Sequence, residues 1–186
     1  MKLFIKNMVS VRCKMIVQAE LEKLGLHPTS MELGQAEITE GITTEQYEKL
    51  AIALGAYQFE LMKDKKLILA EQVKAVIIEL IHFEEEQPKV TYSEYISQKL
   101  NHSYTYLANV FSEVNGMSIR DFIIAHKIER AKELYIYNQL SFSEIVWRLH
   151  YSSLPHLSAQ FKKVTGITPS IFKKMREKNL LALESL

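Results

Sequence analysis

Residues 141–172 read SFSEIVWRLHYSSLPHLSAQFKKVTGITPSIF, and the same pattern stands fifty residues earlier, in residues 91–122. Eight of the 32 aligned positions are identical. The identical pairs are Ser93/Ser143, Glu94/Glu144, Ser103/Ser153, Leu107/Leu157, Phe111/Phe161, Val114/Val164, Gly116/Gly166 and Phe122/Phe172. The match slips by one residue near Leu100 and Leu149, so the first helices of the two copies need not end alike. A self-match at a fixed offset indicates one supersecondary unit built twice.

Each copy begins with a capping box, which pairs Thr91 with Glu94 and Ser141 with Glu144. In such a box the hydroxyl accepts from the amide three residues on, while the glutamate accepts from the cap's own amide. This pattern predicts that a short helix starts at each of these two points.

A second helix follows in each copy, with a serine cap, an apolar stripe at spacings of four and three, and a glycine stop. The residues are Ser103, Leu107, Phe111, Val114 and Gly116 in the first copy, and Ser153, Leu157, Phe161, Val164 and Gly166 in the second. A short helix, a tight turn and a helix with one buried face make a helix-turn-helix unit, whose second helix can enter a major groove. The alternative is a helical hairpin repeat of the solenoid type, but solenoids generally need three or more repeats.

The second copy, residues 144–146 and 151–172, resembles the signature of the AraC/XylS family of bacterial transcription regulators. The first copy and the helix that follows it, up to Ala131, resemble the rest of that family's DNA-binding domain, so the resemblance covers residues 90–176. The family usually has glycine at His150, alanine at Val146 and arginine at Lys127. The glycine position concerns the tightness of the second turn.

This resemblance implies double-stranded DNA as the partner, with the outer faces of the two second helices meeting base edges. The implied interface comprises Ser103, Thr105, Tyr106 and Asn109 in the first unit and Ser153, Leu154, Pro155, His156 and Ala159 in the second. Phosphates would be held by Lys162, Lys163, Lys173, Lys174 and Arg176, with further charge from Lys127 and Arg130. Residues 103–114 contain no Lys or Arg, so Asn109 is the main candidate for a bidentate contact there, to adenine.

The composition is that of a globular chain, with 47% hydrophobic and 24% charged residues in 186. Residues 88–186 carry a net charge of +5 and residues 1–87 one of −4, which favours a nucleic-acid partner for the basic half. The single cysteine, Cys13, fits a reducing cytoplasm. No signal peptide and no run of eighteen apolar residues is expected, so no membrane partner is either.

The first half of the chain predicts the order βαββαβ, which is that of a ferredoxin-like fold. We expect strands at residues 2–8, 30–33, 37–39 and 59–61, the middle two forming a hairpin around Gly34. Helices are expected at residues 12–24 and from Thr43 or Thr44 to residue 57. In the first of these, Met15, Ala19 and residues 21–24 are expected to face inward.

The loop Met8-Val-Ser10-Val-Arg-Cys13 resembles the Met-x-Cys-x-x-Cys loop of heavy-metal-associated domains, in which two thiolates grip a soft ion. Because Ser10 replaces the first thiol, the resemblance implies the fold and no bound metal. No cofactor is expected. Cys13 at a helix start could have a lowered pKa, but an inert cysteine is the favoured interpretation.

Residues 66–86 predict one long helix that is apolar on more than one face, and therefore buried against both domains or against a second subunit. The expected organisation is a ferredoxin-like domain at 1–65, a connecting helix at 66–87, a double helix-turn-helix domain at 88–178 and a tail at 179–186. The fold class is thus α+β. Trp147 and the tyrosines are expected in the core, and the six histidines show no metal-ligand spacing.

The sequence therefore favours a sequence-specific transcription regulator, with its operator, its effector and a homodimer left open. One alternative is an interaction or dimerisation module that has lost DNA readout, which an absence of salt-dependent DNA binding would favour. Another is a soft-metal sensor using Cys13 across a dimer, which a thiol-dependent titration at one ion per two chains would favour. No Ser/His/Asp, Cys/His, phosphate-loop or paired-carboxylate arrangement points to an enzyme.

Overall fold

The computed structural model describes residues 1–83, 90–137 and 140–175. The chain forms two compact units, Met1–Ile119 and Arg120–Leu186. The expected domain boundary after residue 87, the end of the long helix at 84–86, Arg176 and the tail at 179–186 lie outside the described residues. Among the helices that are described, none combines the length and the apolar character needed to cross a membrane.

The first unit begins with a four-stranded antiparallel sheet in the order β2-β3-β1-β4. Its elements are β1 (Lys2–Lys6), α1 (Val11–Lys23), β2 (Pro28–Glu32), β3 (Gln35–Ile38), α2 (Thr44–Gly55) and β4 (Glu60–Met62). The order of elements and strands is that of the predicted ferredoxin-like fold. Gly34 makes the β2–β3 turn with φ of +79°, a conformation in which a side chain would be strained.

One face of the sheet packs on α1 and α2. Leu3 and Ile5 alternate inward along β1, and Val17 of α1 and Leu50 of α2 are fully buried. The predicted inner face of α1 was wrong in part, because Met15 is 65% exposed and Ala19 is exposed as well. Residues two positions apart on a helix point about 200° apart, so the burial of Val17 turns Met15 and Ala19 outward.

The long helix α3 (Lys65–Ile78) starts at Asp64, whose carboxylate accepts from the amides of Lys66 and Leu67 at 2.9 and 3.0 Å. It continues into a π-helical turn, Glu79–Phe83. Its buried residues cover more than one face, as predicted. They are Leu69, Ala70, Val73, Ala75, Val76, Ile77 and Ile78. Helix α3 packs against β1 on one side and against α4 and α5 on another, so the chain itself covers both apolar faces.

The first helix-turn-helix unit consists of α4 (Tyr92–Leu100) and α5 (Tyr104–Asn115). Thr91 and Glu94 form the predicted capping box, and Ser103 caps α5. Gly116 ends α5 with φ of +67°. Leu107 and Phe111 are both fully buried on its inner face, as the repeat predicted.

The second unit contains α6 (Ile119–Tyr137, which starts one residue before the division), α7 (Phe142–Arg148) and α8 (Leu154–Thr165). Ser141 and Glu144 form the second capping box, Ser153 caps α8, and Gly166 ends it with φ of +81°. The shared core is Ile128, Ala131, Leu134, Ile145, Val146, Leu149, Tyr151, Leu157 and Phe161. The predicted double helix-turn-helix architecture is confirmed.

Three predicted core positions of the second unit are wrong. Tyr137, the last residue of α6, is 79% exposed. Trp147 is 82% exposed, because Ile145 and Val146 fill the inner face of the short helix α7 and turn the next residue outward. Val164 is 41% exposed, since Phe161 completes the contact of α8 with the core one turn earlier.

Candidate nucleic-acid interface

Helix α5 presents an outer face built from the residues that the sequence assigned to DNA. Ser103 accepts a hydrogen bond from the Tyr106 amide at 3.4 Å, which fixes the first turn of the helix. Thr105, Tyr106 and Asn109 are exposed, on the side opposite the buried Leu107. Three neighbouring side chains of α5 are thereby accessible from solvent.

The surroundings of α5 carry little positive charge. Residues 90–119 contain one lysine, Lys99, against two glutamates, and their net charge is −1. Glu113 near the end of α5 accepts from Lys66 Nζ at 2.6 and 2.8 Å, and this contact raises the pKa of Lys66. The first helix-turn-helix unit therefore has few groups that could neutralise phosphates.

Helix α8 presents a different outer face. Ser153 caps it by accepting from the His156 amide at 3.3 Å, and Pro155 stands in the first turn, where no intrahelical donor is needed. Leu154 is 42% exposed, and Ala159 is exposed one turn later. The face offers small and apolar groups that suit thymine methyls.

A chain of hydrogen bonds holds the His156 ring at the start of α8. Its Nδ1 lies 2.9 Å from Ser152 Oγ, and its Nε2 lies 3.0 Å from Gln160 Nε2. Gln160 Oε1 in turn accepts from the Tyr151 hydroxyl at 2.9 Å. The sequence analysis missed Ser152 and Gln160, although a glutamine four residues after a histidine on a helix is a recognisable neighbour.

The second unit carries the positive charge. Residues 120–175 have a net charge of +5. All four lysines assigned to phosphates, Lys162, Lys163, Lys173 and Lys174, are exposed. Lys163 lies 3.8 Å from Asp121, a surface pair of small energetic weight. These four lysines lie at the end of α8 and beyond it.

Lys127 does not extend to solvent as a phosphate contact would. Its ammonium donates to the Leu149 carbonyl at 2.7 Å and lies 5.0 Å from the centre of the Tyr151 ring. Burial lowers its pKa to about 8. Arg130, the other expected contact on α6, pairs with Glu133 at 3.0 Å. Lys127 therefore ties α6 to the end of α7, and its expected role in holding phosphate was wrong.

The two turns explain the slip in the repeat. Helix α4 ends at Asn101 and α7 ends near His150, and both residues have left-handed backbones, with φ of +53° and +51°. The distance from Thr91 to Ser103 and from Ser141 to Ser153 is nevertheless twelve residues in both units. In the second helix-turn-helix unit, α7 is shorter than α4 and the turn that follows it is longer. Helices α5 and α8 therefore begin at equivalent positions of the repeat.

The loop Met8–Cys13 forms the start of α1 and contains one thiol. Ser10 Oγ lies 3.2 Å from Cys13 Sγ, where a second thiolate would be needed for a soft ion. Burial raises the pKa of the Cys13 thiol, but hydrogen bonds from Ser10 and from backbone amides outweigh it, and the net pKa is lowered. No group of three His, Cys, Asp or Glu side chains suited to a metal occurs among the residues that the structure describes. The absence of a metal site here stays a prediction.

A family model described as a helix-turn-helix domain, of the AraC type, matches residues 96–175. This range runs from the first helix-turn-helix unit to the last described residue of the second. The matched range covers less than half of the chain. The fold and the match show that this part of the chain is a helix-turn-helix domain similar to those of AraC-type transcription regulators.

Three curated relatives are similar to part of the chain. The uncharacterized HTH-type transcriptional regulator YtdP of Bacillus subtilis is 27% identical over 100 residues, which are 54% of this chain and 13% of YtdP. The Msm operon regulatory protein of Streptococcus mutans is 30% identical over 99 residues, 49% of this chain and 36% of its own. The uncharacterized HTH-type transcriptional regulator YdiP of Escherichia coli is 28% identical over 81 residues, 44% of this chain and 27% of YdiP.

The chain spans between 13% and 36% of the length of these relatives. No solved structure matches the chain significantly.

Proposed function

We propose that this protein is a cytoplasmic, sequence-specific transcription regulator that inserts α5 and α8 into successive major grooves of double-stranded DNA. The observation that carries the proposal is the pair of capped second helices, in which the first two residues of each apolar stripe are fully buried and the outer face is exposed. Helix α6 has 19 residues and is about 28 Å long at ~1.5 Å per residue. A connection of this length suits two recognition helices spaced by about one ~34 Å turn of the duplex.

In this proposal the two helix-turn-helix units make different contacts with DNA. The basic second unit supplies most phosphate contacts through Lys162, Lys163, Lys173 and Lys174, and so most of the salt-dependent affinity. The first helix-turn-helix unit, whose residues 90–119 have a net charge of −1, contributes base contacts through Asn109 and Thr105. Bending of the DNA would bring both helices into their grooves if the fit is short.

Residues 1–87 act as an effector or dimerisation module in this proposal. The support is the central position of α3, which packs against β1 of the sheet as well as against α4 and α5. A change in how α3 packs on the sheet therefore also changes how α3 packs against the first helix-turn-helix unit.

The experiment is genome-wide footprinting, followed by fluorescence anisotropy on a footprinted duplex and on a scrambled duplex at several salt concentrations. We expect tighter binding to the footprinted site and an affinity that falls linearly on a log–log plot against salt. Binding to neither duplex at low salt would overturn the proposal. It would instead favour the interaction module, which the lack of cations on α5 and the exposed Trp147 support.

A further inference from the structure

A cavity of about 230 Å³ lies within the first unit, where the sheet, α3 and α4 meet. Its wall includes Lys2 of β1, Glu32 and Gln35 at the β2–β3 hairpin, Gln72 and Glu79 at α3, and Lys99 of α4. We call this cavity the junction pocket. Its volume is below the ~300–1,000 Å³ typical of sites for drug-sized ligands, and it therefore suits a smaller molecule.

The junction pocket is polar around its wall and apolar at its base. Leu33, Ala75 and Val76 line it and are each less than 9% exposed. Two ammonium groups, two carboxylates and two side-chain amides surround this base. A few polar groups converging over an apolar base are the usual make-up of a small-molecule site.

The charges of the pocket are weakly satisfied within the protein. In the described part of the chain, no ion pair or side-chain hydrogen bond joins Lys2, Glu32 or Lys99 to a partner. Glu79 lies 3.8 Å from Lys14, at the outer limit of an ion pair. Both signs of charge are thus available to a ligand, on elements that belong to the sheet, to α3 and to α4.

A second depression, of about 260 Å³, adjoins the junction pocket and shares Leu33 and Glu79 with it. Its remaining walls are Val11, Lys14 and Phe83. Glu79 and Phe83 are the first and last residues of the π-helical turn, a distortion often found at functional sites. The depression can take the apolar part of a ligand whose charged part occupies the junction pocket.

We propose that the junction pocket binds a free amino acid with an apolar side chain, and that this zwitterion is the effector of the regulator. Lys2 and Lys99 pair with its carboxylate, Glu32 and Glu79 pair with its ammonium group, and its side chain lies along Phe83. This inference rests on the proposed regulator function. A ligand held by β1, α3 and α4 at once favours one packing of the sheet on the first helix-turn-helix unit, which is how it would change DNA affinity.

The binding test uses the full-length protein without DNA and isothermal titration with leucine, isoleucine and phenylalanine. Matched compounds that lack one charge are 4-methylpentanoate and 3-methylbutylamine, and glycine lacks the side chain. We expect the hydrophobic amino acids to bind at least tenfold more tightly than all three. Equal binding of 4-methylpentanoate would overturn the zwitterion in favour of a simple anion site, and binding of no amino acid would end the inference.

Substitutions of the lining residues test whether the ligand binds in the junction pocket. Lys99→Met and Glu32→Gln change exposed residues and should each raise the dissociation constant of leucine about tenfold, as expected when one charged partner is removed. Lys49→Met and Glu48→Gln on α2 are the matched controls and should leave it unchanged. Phe83→Ser should weaken leucine but not glycine. Wild-type affinity in both Lys99→Met and Glu32→Gln would show that the ligand binds elsewhere.

The regulatory arm measures anisotropy on the footprinted duplex with and without saturating leucine. We expect a change of fivefold or more in DNA affinity that disappears in Lys99→Met. If DNA binds and no amino acid binds, the inference fails while the proposed function stands. If leucine binds and DNA does not, the pocket stands and the proposed function fails. If both bind without influencing each other, the effector role is wrong.

Discussion

Asn101 and His150 hold the same left-handed backbone conformation, with φ of +53° and +51°, at the turn of each helix-turn-helix unit. Asparagine tolerates this conformation, whereas for most residues with a Cβ it costs ~1–2 kcal/mol. The usual glycine of the family at His150 is thus explained by the backbone, and the histidine fits the same turn under strain.

The first prediction is that His150→Gly raises the free energy of unfolding by about 1 kcal/mol, since glycine removes the strain and costs some unfolded-state entropy. Urea denaturation of wild type and variant measures it. Asn101→Gly is the matched control and should change stability by only a few tenths of a kcal/mol. An equal gain in both variants would show that backbone strain at His150 is not the cause.

The second prediction concerns Lys127, whose pKa is lowered by burial from 10.5 to about 8. Because the unfolded chain binds more protons between about pH 8 and pH 10.5, the free energy of unfolding rises with pH in that window and the gain is absent below it. Lys127→Arg stays charged throughout and should lack this rise. Between pH 7 and 10 we expect the free energy of unfolding of wild type to rise by about 2–3 kcal/mol more than that of Lys127→Arg.

The measurement for Lys127 is urea unfolding of wild type and Lys127→Arg at several pH values, so that all other titrations cancel. Lys132→Arg, at the surface pair with Glu129 on the same helix, is the control and should follow wild type. Parallel curves for wild type and Lys127→Arg would contradict the burial of this ammonium group.

The third prediction is that Ile77→Glu prevents folding or costs about 4 kcal/mol or more, because Ile77 is fully buried and a carboxylate there has no partner. Since both faces of α3 are covered within one chain, the loss should not depend on protein concentration. Thermal unfolding at two concentrations tests this. Ile52→Glu, at a residue of α2 that is 77% exposed, should melt like wild type.

The fourth prediction is that Lys162→Gln together with Lys174→Gln flattens the log–log salt dependence of DNA binding by roughly two units, one for each phosphate that is no longer neutralised. Both ammonium groups are exposed in the basic second unit. Anisotropy titrations between low and moderate salt measure the slope. The double variant Lys49→Gln and Lys65→Gln in the first unit is the charge-matched control. If it flattens the slope equally, net charge alone explains the effect.

The fifth prediction is that Asn109→Ala changes the preference between the footprinted and a base-substituted duplex by about 1–3 kcal/mol while leaving the salt slope unchanged. Its amide is exposed on α5 and can pair with adenine edges without releasing a counterion. Competition binding at fixed salt measures the preference. A uniform loss on all duplexes would instead make Asn109 a backbone contact.

The sequence alone determined the elements whose boundaries have local causes. The capping boxes Thr91/Glu94 and Ser141/Glu144 satisfy amides within one turn, and Gly116 ends a helix through its own backbone freedom, so each can be read without knowing the rest of the fold. The fifty-residue repeat carried the same information twice, which made the double helix-turn-helix unit and its outer faces predictable.

Only the tertiary structure decided which surfaces are covered. Periodicity shows which residues share a helix face but not what lies against that face, so it could not say that the chain itself buries both sides of α3, or that Met15 and Trp147 point to solvent. The same holds for charge: Lys127 and Lys162 look alike in sequence. In the folded chain the Lys127 ammonium group donates to the Leu149 carbonyl, whereas Lys162 is exposed.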